Sequence, residues 1–393
     1  MTGESFFEQL RKHYSNRLPL VAYRKPSESK VQAFLQQEEE LYTTEDFSES
    51  GFVFAPFDAS RKSILIPENA SEKLIFEQGV SEESSASGNT TEEEISEEKK
   101  SAHIQLVEKA VSALKTGEMA KVVLSRKEEV RLKEADPLKL FQELLKTYPT
   151  AFVYCWYHPE VGCWLGATPE TLLKVEGNRF STMALAGTQK FQGTMNVEWG
   201  EKEKQEQQFV TDSILEDLEK TGVSSSGVQS SAAYTAKAGN LLHLRTDISG
   251  TIPNSKFQIP NSGSKSSSRE KGVKNLISAL HPTPAVCGLP KEKAKAFILS
   301  EEKYNREFYT GFLGELNLQK NTQRSRNRRN VENLAYRTVK QETNLFVNLR
   351  CMKIEGDKAL LFIGGGITKD SNPEAEWEET VNKPQTMKKV LLK

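Results

Sequence analysis

TLLKVEGNRFSTMAL, residues 171–185, carries two runs rich in β-branched, aromatic and leucine residues, Thr171–Val175 and Phe180–Leu185, on either side of Glu176-Gly177-Asn178. Glycine and asparagine tolerate the left-handed backbone that a tight turn needs, so the stretch predicts a β-hairpin. Val122–Val130 and Ala151–Tyr157 share its composition and add strands. Helical periodicity appears in Glu201–Lys220, Lys291–Tyr304 and Glu374–Leu392, the second opened by Pro290. The expected class is α/β of the α+β kind: an antiparallel β core with flanking helices and no internal repeat.

Polar stretches punctuate this pattern. Ser81–Lys100, SEESSASGNTTEEEISEEKK, has almost nothing to bury and reads as a surface linker. Ser224–Gly239, Pro253–Lys274 and Lys320–Thr343 are similar, the last basic around NTQRSRNRRN. The segments between them are short and interdependent, so these runs read as insertions in one architecture rather than domain boundaries. A single domain over 1–393 is expected. Its N-terminal region, residues 1–100, ends in the acidic linker 81–100, and residues 101–393 bear the motifs.

The charge balance, 53 Lys plus Arg against 54 Asp plus Glu, gives no bulk field to gather nucleic acid or an anionic membrane, so any anion site is local. No run of about 18 apolar residues marks a membrane span, and a soluble cytoplasmic protein is expected. Four scattered cysteines make no disulfide framework. Cys155, His158 and Cys163 suggest zinc, but FVYCWYHPEVGCWLG reads as a strand pair around a His-Pro turn and lacks a second ligand pair.

In the helix EKEKQEQQFVTDSILEDLEK, Val210, Ile214 and Leu218 mark the buried stripe; one turn back stands Glu206, with Glu203 three residues before it. Two acids continuing an apolar face read either as a solvated first turn, where they suit the helix dipole, or as ligands. The C-terminal helix repeats the pattern: Glu379, Lys383, Met387 and Leu391 share a stripe beside Glu376, and Pro384 should break it after Lys383. Pairs of acids at i, i+3 on two helices suit a hard divalent cation such as Mg²⁺. Gly364-Gly365-Gly366 follows an apolar run, as a strand end whose bare amides approach an anion or as a bulge. Arg350, in LFVNLRCMKIEG, reads as a strand arginine suited to a carboxylate if it faces a cleft. Lys121 opens KVVLSRKEEV, and Glu170 follows Pro169 at a strand entrance; alone each is an ordinary surface charge, and a lysine acts as a base only if its pKa falls from about 10.4.

Taken in order, KVVLSR, GATPETLL followed by ALAGT, the glutamate-rich helix ending in FV, HLRTDISG, ALHPTPAVCGLP, LFVNLR and FIGGGITKDSNPEAEWEETVNK resemble the chorismate-utilising enzyme family, which includes isochorismate, salicylate, anthranilate and aminodeoxychorismate synthases. The resemblance runs from Lys121 to Lys383. It implies two packed, mainly antiparallel sheets flanked by helices, with the active-site cleft between and both acidic helices meeting across it. It implies Glu206 and Glu379 as direct Mg²⁺ ligands, and Glu203 and Glu376 as holders of metal-bound water. Arg350 and Tyr309 match positions for the enolpyruvyl carboxylate, Gly187, Thr188, Gly365 and Lys383 match pocket positions, and His281 is similar to the histidine beside the substrate ring. Lys121 resembles the base of members whose nucleophile is water, and Glu170 the acid that protonates the departing C4 hydroxyl. The activity implied is that of an isochorismate synthase acting on chorismate by water attack at C2, for menaquinone rather than siderophore synthesis, with no glutamine amidotransferase subunit, nucleic acid or membrane partner. The alternatives are a salicylate synthase, a siderophore-pathway isochorismate synthase and, from the run RSRNRR, a non-catalytic RNA-binding or interaction protein.

Overall fold

The hairpin at 171–185 forms: Val175 pairs with Phe180 and Glu176 with Arg179 around Gly177-Asn178, and Gly177 takes φ +59°. The structure, a computed structural model, describes residues 1–79, 96–223, 227–238, 241–252, 268–321 and 339–391. The chain begins with α1 (Gly3–Ser15), β1 (Leu20–Arg24), β2 (Lys30–Gln36), β3 (Thr43–Thr44), β4 (Gly51–Ala55), β5 (Ser63–Pro67) and β6 (Ser71–Glu77). Next come α2 (Glu97–Lys115), β7 (Lys121–Arg131), α3 (Pro137–Thr147), β8 (Phe152–His158), β9 (Gly162–Thr168), β10 (Thr171–Glu176), β11 (Arg179–Lys190), α4 (Glu201–Lys220), β12 (Val228–Ser230), β13 (Tyr234–Ala238) and β14 (Leu241–Thr251). It continues with α5 (Ser268–Leu280), β15 (Gly288–Leu289), α6 (Lys291–Glu301), β16 (Phe312–Asn321), β17 (Val339–Val347), β18 (Cys351–Glu355), β19 (Lys358–Ile367), α7 (Pro373–Asn382) and α8 (Gln385–Leu391).

Among the described residues the strands form two sheets, ordered β15-β7-β19-β18-β9-β8-β1-β2-β6 and β12-β14-β11-β10-β17-β16-β4-β5-β3, with β13 also on β14. Strands read as continuous apolar runs because both their faces are covered. In β8, Phe152, Tyr154 and Trp156 enter an aromatic layer between the sheets, while Val153 and Cys155 pack under α1, α3 and α8. Phe152 stacks on Phe346 of the other sheet at 4.1 Å, and Phe54 meets Trp156 at 4.9 Å. Such pairs contribute roughly 0.5–1.5 kcal/mol beyond area burial. On the outer face of the second sheet, the expected stripe Val210, Ile214 and Leu218 of α4 is buried.

The structure corrects several boundaries. The segment 80–95 lies outside the described residues, but Glu97–Lys100, read as linker, is the first turn of α2. Two short strands, β12 and β13, fall within the polar stretch 224–239; a sheet edge needs no apolar outer face, so composition hid them. Ser268–Lys274 opens α5, where Arg269 bonds Gly177 O, Gln341 O and Asn317 Oδ1. Val339–Thr343 belongs to β17. The RSRNRR run lies outside the described residues. The Cys-His-Cys stretch is the β8–β9 hairpin, and all four cysteines are buried and free. No helix among the described residues is long and apolar enough to cross a membrane.

Candidate active site

Lys121 starts β7, which pairs with β19 so that Gly366 faces Val123, Gly365 faces Leu124 and Gly364 faces Ser125. As expected, the glycine run lies at a strand end and not at a bulge: β19 stops at Ile367, one residue beyond Gly366. Its glycines clear space. A Cβ on Gly366 would stand 2.9 Å from Lys121 Cε, and one on Gly364 2.6 Å from the Tyr309 hydroxyl. A Cβ on Gly365 would stand 3.6 Å from Glu376 Oε2. Tyr309 is held by a turn whose Arg306 is buried against Glu302, while Glu302 accepts from Ser125 N at 2.7 Å and Arg306 donates to Val123 O at 2.7 Å. One buried ion pair thus ties the Tyr309 turn to the strand of Lys121.

The acids of both helices converge on these glycines. Lys121 Nζ, beside Gly366, donates to Glu206 Oε1 of α4 at 2.5 Å. Lys383, just past α7, donates to Gly364 O at 2.8 Å and pairs with Glu379 Oε1 at 2.6 Å. Successive Cα atoms are about 3.8 Å apart, so three consecutive residues of β19 connect both acidic helices. As expected, the last helix breaks at Pro384, leaving α7 and α8.

Glu170, between β9 and β10, is 4% exposed. Burial pushes its carboxyl up to about 7, against the opposing effects of the Thr283 hydroxyl at 3.4 Å and the Lys121 charge. It can thus hold a proton near neutrality, as a general acid must. The folded state keeps a proton between pH 4.5 and about 7 that the unfolded chain releases, so this group's stabilisation is present at acid pH and lost as pH rises through that window. The loss is on the order of 3 kcal/mol. We expect Glu170→Gln to remove that slope: urea midpoints of wild type and variant should diverge between pH 5 and pH 8 in the variant's favour, and parallel changes would contradict the protonated state.

Gly187 and Thr188 lie where the β11–β14 register shifts, and Gly187 takes φ +65° with Trp199 and Glu203 packed against it. The irregularity re-aims both residues. They meet His243 of β14: its Nδ1 donates to Gly187 O at 2.9 Å and lies 3.3 Å from Thr188 Oγ1, which leaves Nε2 as a buried acceptor with no hydrogen-bond partner among the described residues. Burial lowers the His243 pKa to about 4, helped by the charges of Arg350 and Lys383, so the ring is neutral. Sequence reading missed this residue; HLRTDISG gave only its place in a motif. His281 is not brought to this group by any described contact: its ring nitrogen Nε2 lies 3.1 Å from Pro56 O and its ring meets Phe312 edge-on at 5.0 Å. Thr283, two residues on, reaches Glu170 instead. The strand placement of Arg350 is corrected. The residue stands in the turn between β17 and β18 with φ +46°, because Asn348, held by the Tyr154 hydroxyl and Phe308 O, ends the strand. Burial holds its guanidinium below the usual arginine range.

Among the described residues no three His, Cys, Asp or Glu groups stand within reach of one ion. Glu206 and Glu379 are each paired with a lysine instead, Lys121 and Lys383. The donors, all carboxylate oxygens from α4 and α7, fit a hard ion such as Mg²⁺ in chemistry.

A profile of the family described as chorismate binding enzyme matches residues 58–324 and 336–392. The chain belongs to that family. This chorismate-binding enzyme is 29% identical over 296 residues to the isochorismate synthase EntC of Escherichia coli K12, covering 73% of this chain and 66% of EntC. It is 26% identical to the isochorismate synthase MenF of the same organism, over 74% of this chain and 60% of that one. The anthranilate synthase component 1 of Saccharolobus solfataricus matches at 25%, over 74% and 62%. The chain thus spans about two thirds or less of these curated relatives' length. In fold it resembles the crystal structure of DhbC from Bacillus anthracis, with a TM-score of 0.73 and 22% identity over 98% of this chain and 99% of that one. The sequence likeness is to isochorismate synthases, which are isomerases, and to their anthranilate-forming relatives.

Proposed function

We propose that the enzyme is an isochorismate synthase converting chorismate to isochorismate with Mg²⁺. The observation that carries this reading is the pair of Glu170, buried with a pKa of about 7, and Lys121, whose charge acts on it. Adding water at C2 and expelling hydroxide from C4 needs one group that takes a proton and another that gives one. Lys121, as the neutral amine left once it has given up its own proton, takes the proton of water, and Glu170 gives its proton to the leaving hydroxyl, which departs as water, so the exchange is an isomerisation. Glu206 and Glu379, with Glu203 and Glu376 beside them, would hold Mg²⁺, whose chemistry is Lewis-acid neutralisation of the ring carboxylate. Arg350 and Tyr309 would hold the other carboxylate. Gly187, Thr188, Gly365 and Lys383 would line the pocket, and neutral His243 would offer an acceptor to the substrate.

Water as nucleophile requires no ammonia donor, so the reading includes no amidotransferase subunit. The chain is read as one catalytic domain, since its first 79 residues supply β1, β2 and β6 to one sheet and β3, β4 and β5 to the other. Incubation with chorismate and Mg²⁺, followed by chromatography against isochorismate, salicylate and anthranilate standards, should yield isochorismate. Salicylate with pyruvate would establish a salicylate synthase instead; no turnover with salt-sensitive RNA retention would overturn the enzymatic reading. For the product's destination we retain menaquinone synthesis, checked by whether menaquinone or a siderophore restores growth of a strain lacking the gene.

A further inference from the structure

Thr380 of α7 would normally give its carbonyl to the N–H of residue 384, but Pro384 has none. Arg126 of β7 supplies the missing donors: Nη2 reaches Thr380 O at 3.0 Å and Nε reaches Thr380 Oγ1 at 2.8 Å. The same guanidinium lies over the Trp377 ring at 4.7 Å and bonds Glu128 Oε2 at 2.9 Å. Glu128 in turn pairs with Lys388 of α8, so the group spans the helix break. His103 of α2 also packs on Trp377, at 5.7 Å between ring centroids. Burial and then the Arg126 charge lower its pKa to about 4, so no second cation competes there. Trp377 and Thr380 are 4% and 1% exposed.

Trp377 follows Glu376 by one residue, and Thr380 follows Glu379 by one. At 3.6 residues per turn, each gripped residue is turned by about 100° from the acid before it. Holding the first pair therefore fixes the direction of the second. We propose that Arg126 is a positioning residue for the metal-holding acids, closing the broken end of α7 and setting its rotation so that Glu376 and Glu379 face Gly364–Gly366. The inference rests on the Mg²⁺ reading above. Mg²⁺ demands near-octahedral ligands at about 2.0–2.1 Å, so a small rotation of α7 is felt first as lost affinity.

The test is calorimetric titration of Mg²⁺ into wild type, Arg126→Met, Arg126→Lys and Glu379→Ala, with kcat measured at saturating Mg²⁺. Arg126→Met should bind Mg²⁺ about tenfold more weakly, at the low end of what outer partners of metal ligands contribute. Its kcat at saturating Mg²⁺ should stay close to that of wild type. Arg126→Lys, which keeps the charge and a donor, should recover some of the affinity. A folded Arg126→Met protein with wild-type Mg²⁺ affinity would overturn the proposal. If that variant does not fold, Arg126→Lys and Thr380→Val carry the same comparison: weakened Mg²⁺ binding supports the proposal and unchanged binding in both overturns it. Absence of Mg²⁺ uptake by wild type would bring down the metal reading and this inference with it, and shows before any variant is compared.

Discussion

Replacing Lys121 by glutamine is expected to slow the chemical step by about 10²–10⁴, the range typical of a lost general base. The amide keeps most of the length and can still donate to Glu206, whose Oε1 lies 2.5 Å from Nζ, but it cannot accept a proton from water. Binding of chorismate and Mg²⁺ should survive, placing the loss in kcat. Glu170→Gln should lose a comparable factor, because an amide has no proton to yield. The double variant should lose far less than the product of the two, since neither group completes the exchange alone. The pH dependence gives an independent check. Activity needs Glu170 protonated, so kcat/KM should fall as pH rises through about 7, and that limb should vanish in Glu170→Gln. A Lys121→Gln enzyme that makes isochorismate at the wild-type rate would remove the proposed base.

Alanine at Glu206 or at Glu379 should abolish turnover while leaving the protein folded. Their side chains are 30% and 47% exposed, so truncation opens no core cavity, and partly exposed ion pairs contribute only about 0–1 kcal/mol. Calorimetry should show Mg²⁺ uptake by wild type and its loss in either variant, with unfolding midpoints little changed. Full activity in EDTA would sink the metal reading. So would an active Glu379→Ala enzyme, because the two helices are then not acting on one ion.

What could be read from the sequence was local. The stripe Val210, Ile214 and Leu218 and the break at Pro384 follow from helix geometry within a few residues, and the turn at Gly177-Asn178 follows from backbone freedom. The acids on α4 and α7 were visible as anomalies on such stripes. What was missed depends on distant partners. His243 meets Gly187 across the β11–β14 ladder, at an irregularity that no composition announces. Arg350 read as a strand residue because its neighbours alternate apolar and polar, whereas Asn348, locked by the Tyr154 hydroxyl, ends that strand. The role of Gly366 needs the alkyl chain of Lys121, which a sequence search for bare amides does not see.

The interleaving of the first strands has a consequence in time. Ala55 of β4 pairs with Phe312 of β16, and Val21 of β1 with Trp156 of β8. Synthesis proceeds at roughly 5–20 residues per second, so GFVFA leaves the ribosome some ten to fifty seconds before the strand that covers its edge exists. Phe52 already has Tyr23 to meet, and Phe54 gains Tyr154, Trp156 and Trp164 on the way, but its stacked partner Phe308 arrives only just ahead of β16. The early strands can pair among themselves, but the edge of β4 stays open until β16 is made, so this sheet is closed at its far end rather than at its near one.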